Sequence, residues 1–271
     1  MANPLSLISK HRTRLDRQSE ADLARLIAAY GNMSQRLKDK VDLLLLELER
    51  NPNANIAQMA RYKELVQALN SEFVKYNTYL EIELERITAE ARSQARLDYA
   101  VLIAAALVAR GLSVKPAQIV QSGVVPTVMS IGSEAVKRLH ELAPLQAQRI
   151  IDKLLEGINL GYGYEKLGGM IVNDLGLGLA DALRWARTTQ MESYRETSRN
   201  TMLENGGILD GWTWFAQLDD ATCEGCSELH GSFHPARESL NDLTPHIWNC
   251  RCVELPHVIG DENPVTGERI E

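Results

Sequence analysis

The chain has 271 residues, 45% of them apolar but only 6% aromatic, with nine prolines, a helix-rich usage that excludes a sandwich of short strands. Its longest uncharged apolar run, Ala100–Ala109, is too short for a bilayer span of about twenty residues, and residues 1–18 show no secretory leader pattern, so no membrane partner and a cytoplasmic address are expected. From Gly206 onward twelve acids face three bases, net −9, which leaves +2 of the overall −7 for residues 1–205; the acidic last quarter cannot supply a phosphate-binding field, and any weak DNA contact falls to the helical part.

From Ser19, a candidate N-cap with Asp22 three residues on, an apolar stripe runs Leu23, Leu26, Tyr30, Met33, Leu37, Val41, Leu44, Leu48, the spacing of a helix seam. Asn51-Pro52-Asn53 should end that helix. A second stripe, Met59, Tyr62, Val66, Leu69, Phe73, Tyr76, Leu80, has the same period, and two seams joined by a short turn predict an antiparallel helical hairpin. The pattern continues through Ile87 and Ala91 into Tyr99–Ala109, apolar on every face and so expected to be buried, with Gly111 as its stop. Residues 112–132, with Pro116, Gly123, Pro126 and Gly132, read as a broken connection. A helix is expected from near Ser133 to Pro144, resuming through Leu145–Ile158; glycines 157, 161, 163, 168 and 169 then suggest a flexible turn. A helix from about Leu179 to Glu204 should close at Asn205-Gly206-Gly207. On it Arg184, Arg187, Arg195 and Arg199 are interleaved with Glu192 and Glu196, which explains the arginines by intrahelical pairing.

The character then changes. Trp212–Leu218 and residues 250–255 read as strands, with turns between them, and Trp212, Trp214 and Trp248 as the core of a small module. All four cysteines fall here, as Cys223-Glu-Gly-Cys226 and Cys250-Arg-Cys252. A C-x-x-C turn brings two thiolates to one point, and residues i and i+2 of an extended segment share a face, so four sulfurs can surround one ion. His246, four residues before Cys250, could replace one of them. Zinc is the first-choice metal for S₄ or S₃N ligands, with iron possible at S₄ and a pair of disulfides as the metal-free alternative. His230 and His234 lie inside the cysteine-bounded loop and invite comparison with a zinc-organised His-Asn-His nuclease, but only Arg237 and Arg251 are basic nearby and Asn241, Asp242 and His246 sit at loose spacing.

Together W-x-W-F-A-Q-L-D-D-A-T-C-E-G-C-S-E-L-H-G and P-H-I-W-N-C-R-C-V-E-L-P resemble the C-terminal module of the phage Mu protein F-like family, the minor head or head-morphogenesis proteins of tailed phages. The residues carrying the likeness are Asp219, Thr222, Cys223, Cys226, His230, Gly231, Pro245, His246, Cys250, Arg251, Cys252 and Pro256; the family's Arg-Thr-Glu tract reads Arg187-Thr188-Thr189 here. The resemblance implies a non-enzymatic structural component of the virion head, made in the host cytoplasm, partnered by the portal or major capsid protein and assisting head assembly or DNA delivery. A zinc-organised nuclease and a cellular zinc-binding adaptor are the alternatives. The expected architecture is mainly α: an N-terminal hairpin or bundle over 1–111, a central helical region over 112–206, and a small α+β module over 207–271 stapled by structural zinc at Cys223, Cys226, Cys250, Cys252 and His246.

Overall fold

A computed structural model describes residues 4–51, 54–112, 115, 116, 119, 145–158, 160, 162, 164–238 and 249–268. Its elements are helix α1 (Pro4–Arg50), a 3-10 turn (Ile56–Gln58), α2 (Ala60–Ala109), α3 (helical residues 145–158), α4 (Tyr164–Glu204), strand β1 (Leu209–Phe215), the short α5 (Glu224–Glu228), β2 (Phe233–Pro235) and β3 (Val253–Val258). The chain is mainly helical with one small antiparallel sheet, as expected. It divides into two compact units: Met1–Glu20, Arg86–Gly132 and Arg187–Glu271 form one, Ala21–Glu85 and Ser133–Ala186 the other.

The second unit holds the middle of the helical hairpin. Leu26, Tyr30, Met33, Leu37, Val41 and Leu44 of α1 are buried, as are Leu69, Phe73, Tyr76 and Leu80 of α2. Antiparallel register is fixed by Tyr30 edge-on to Tyr76 with centroids 4.8 Å apart, by Arg36 with Glu72 at 2.5 Å, and by Arg25 with Glu83 at 3.4 Å. Ala147, Ile150, Ile151 and Leu154 give α3 its buried stripe, and Lys153 reaches Asp174 of α4 at 2.6 Å.

Several boundaries differ from the sequence reading. Ser19 is not an N-cap, because α1 begins at Pro4 and Ser19 lies buried in its middle. The stripe through Ile8, His11, Arg12, Leu15, Ser19 and Asp22 is continuous on one face, but four of its six members are polar, so an apolar count does not see it. Gly168 and Gly169 lie within α4 rather than in a turn. The expected burial of Tyr99–Ala109 on every face fails at its end, where Val108 is exposed. The helix does stop at Gly111, whose φ of +79° places it in the left-handed region while the Leu112 N–H reaches back to the Leu107 carbonyl at 3.1 Å, a glycine C-terminal cap. The helix expected near Ser133, the breaks at Gly123, Pro126 and Pro144, and Trp248 lie outside the described residues.

In the first unit the sheet, in order β2-β1-β3, has no core of its own. Trp212, Trp214, Val253 and Leu255 pack in one cluster with Ile8 and Leu15 of α1, Ala95, Tyr99, Ile103 and Leu107 of α2, and Met191 and Tyr194 of α4. The Tyr99 hydroxyl donates to the Glu254 carbonyl oxygen, tying α2 to β3 across 155 positions. β1 starts and ends three residues earlier than expected, and the second strand runs Val253–Val258 instead of 250–255. Its register sets Trp212 opposite both His234 and Pro256. At Gly211 an added Cβ would meet the His234 carbonyl oxygen at 2.2 Å and the Phe233 ring at 2.6 Å, backbone and a braced ring that cannot yield cheaply. Gly211→Ala is therefore expected to cost about 1–3 kcal/mol, the range for overpacking, read as a lower urea midpoint with an unchanged slope.

Asp98 of α2 is a buried carboxylate on which both other long helices converge. It accepts from Arg14 and, at 2.8 Å, from Gln94 through Oδ1, and from the Tyr194 hydroxyl at 2.9 Å through Oδ2, with His11 Nδ1 at 3.6 Å. Burial lowers the His11 pKa despite the attraction of Asp98, and burial lowers that of His230 as well. Both are depressed in the folded state, so the unfolded chain takes up protons first as pH falls below about 6.5. The urea midpoint is expected to drop as pH falls from 7 through 6 toward those lowered values. A His11→Gln chain should show a shallower drop, and an identical profile in that variant would remove His11 from the account.

Candidate metal centre

The C-x-x-C half of the site is built by a local cap. Cys223 precedes α5 in extended conformation (φ −71°, ψ 156°), and its sulfur accepts from the Cys226 N–H at 3.4 Å. The turn before it is held by Asp219 and Thr222: the Asp219 N–H donates to Thr222 Oγ1 at 2.9 Å, and Asp219 Oδ1 accepts from the Ala221 N–H at 3.1 Å. The second half arrives through Asn249, in the left-handed region at φ +60°, whose N–H donates to Thr188 Oγ1 of α4 at 3.1 Å. Residues 250–252 are an irregular lead into β3, not part of the strand. Between the two cysteines Arg251 turns away and donates to Asp219 Oδ1 at 2.5 Å, so the residue separating the thiols locks the opposite loop. That ion pair holds the exposed Asp219 carboxyl below the usual carboxylate range.

The result brings Cys226, Cys250 and Cys252 together, with their sulfurs all within 4.8 Å of one another. Cys226 and Cys252 are buried and Cys250 is half-buried. Cys226 Sγ and Cys250 Sγ are 3.7 Å apart and both are free thiols. Two sulfurs about 2.3 Å from a tetrahedral ion stand about 3.8 Å from each other, whereas a disulfide requires about 2.05 Å; the spacing is that of an edge of a metal tetrahedron. Cys223 adjoins Cys226 through its hydrogen bond but lies outside the mutual three-sulfur group. His246 and Pro245 lie outside the described residues.

The electrostatics fit a cation. A hydrogen bond from Cys226 holds the Cys250 thiol far below its ordinary range, with Arg195 adding to the effect, while the same contact drives the Cys226 thiol upward. Cys252 is drawn down by Cys226, but the Cys250 thiolate and burial outweigh this and push it up to about 11. Ionising Cys226 and Cys252 beside the Cys250 thiolate would set three like charges at this spacing, a repulsion that a thiophilic dication would relieve. Arg12 and Arg251, both within electrostatic reach of Cys252, and Arg195 near Cys250 offset the negative charge that such a centre carries.

The loop histidines are occupied elsewhere. His230 Nδ1 accepts from the Ala216 N–H at 3.0 Å. His234 stacks on Trp212 with centroids 4.3 Å apart, and its ring nitrogens meet Ser232 Oγ at 2.7 Å and Glu238 at 3.1 Å. Although this has the outline of a nucleophile, base and acid, Ser232 Oγ donates to the Leu229 carbonyl at 2.6 Å, so its proton is directed away from the ring. The arrangement clips β2 to the turn before it. Gly231, at φ +84°, likewise serves the fold: an added Cβ would meet Thr266 at 2.9 Å.

Thus Asp219, Thr222 and Arg251, among the residues that carry the sequence likeness, brace the cysteine loops, whereas His230 and Gly231 serve the turn that follows them. The family model for phage Mu protein F like protein matches residues 148–255, a stretch that runs from α3 through both cysteine pairs. Over these residues, fewer than half of the 271, the chain is similar to the phage Mu protein F-like family. No curated protein and no solved structure gives a match. The phage Mu F-like stretch includes all of α4, and there the sequence reading missed the inward polar residues Thr188, Thr189, Ser193, Thr197 and Ser198, all buried. The run Thr188-Thr189-Gln190 beside the arginines was the available signal; of these hydroxyls Ser198 bonds the Tyr194 carbonyl of the preceding turn at 2.8 Å and Thr188 accepts from the Asn249 N–H, whereas those of Thr189, Ser193 and Thr197 have no hydrogen-bond partner among the described residues.

Proposed function

We propose that this chain is a structural minor head protein of a tailed phage or prophage, made in the host cytoplasm, incorporated into the virion head, and assisting head assembly or DNA delivery through contact with the portal or the major capsid protein. The observation that carries the reading is the cysteine cluster set inside the phage Mu F-like stretch, with Asp219, Thr222 and Arg251 of the family likeness bracing its loops. The family is one of head morphogenesis, which agrees with a role without catalysis. The proposed ion is structural zinc, held by Cys226, Cys250 and Cys252 with Cys223 or His246 as the fourth ligand. Its chemistry is cross-linking: it joins the loop after β1 to the lead into β3.

Tagged protein expressed during infection should co-sediment with assembled heads, and its exclusion from heads at every assembly stage would dismiss the capsid role. Metal analysis of chain purified without chelator should give about one zinc per molecule. Cobalt substitution should produce the intense near-ultraviolet bands of thiolate coordination; two disulfides in place of metal would refute the centre. A cellular adaptor would carry the same metal but would not enter heads, and a nuclease would cleave DNA in a His230- or His234-dependent way.

A further inference from the structure

We draw no further inference here: the strongest candidate, the groove of about 390 Å³ in the first unit between the start of α1, the end of α2 and the outer edge of β3, lined by Leu5, Leu102, Ala106 and Val258 with Glu262 exposed at its rim, carries nothing because nothing in the structure shows what covers it.

Discussion

Replacing Cys226 and Cys250 together by serine is expected to abolish metal binding and to unfold the first unit as a whole, not merely the cysteine loops. Cys226 and Cys252 belong to the same buried cluster as Trp212, Trp214, Tyr99 and Leu15, so releasing the loops uncovers a core that α1, α2 and α4 share with the sheet. Structural zinc contributes on the order of 10 kcal/mol in apparent terms at pH 7, comparable with the total stability of a domain. Because the ligands bind as thiolates, acid has the same sign of effect as chelator: metal affinity falls with pH as protons compete for sulfur. Circular dichroism at 222 nm should therefore fall together with tryptophan burial when the proposed zinc is removed. Tryptophan exposure with full retention of helix would show that the loops unfold independently of the long helices.

Asp98→Ala is expected to be the most damaging single substitution away from the cysteines, at about 3–5 kcal/mol, the cost of breaking a buried charge network by removing one partner. The change strips Arg14, Gln94 and the Tyr194 hydroxyl of their common acceptor at once, and Tyr194 is almost wholly enclosed. Asp98→Asn keeps the shape and one acceptor oxygen while losing the charge, and should recover part of the loss. Urea unfolding of the two variants measures the difference. Equal, small losses of under about 1 kcal/mol in both would mean that the convergence on Asp98 adds nothing net, as for exposed ion pairs.

The sequence alone was sufficient for the hairpin seams, the stops at Gly111 and after Glu204, and the pairing of the two cysteine motifs. Each rests on local chemistry: apolar residues at helical period, a glycine that tolerates left-handed backbone, and donors close enough along the chain to meet without knowledge of the rest. The likeness to phage Mu F-like proteins was legible for the same reason, since Asp219, Thr222 and Cys223 form one capped turn within five residues. What only the tertiary structure decided are the long-range choices. That α1 extends back to Pro4 goes with the burial of His11, Arg12, Ser19 and Asp22, which polarity by itself argues against. That the sheet shares its core with three helices follows from contacts such as Tyr99 to Glu254, separated by 155 positions, whose closure no local pattern encodes. Even at the cysteines, spacing pointed to the two pairs as one site, but the 3.7 Å between Cys226 and Cys250 comes with Asn249 anchored on Thr188 and Arg251 on Asp219. A ligand set is a matter of residue type; its geometry is set by whatever the rest of the chain packs around it.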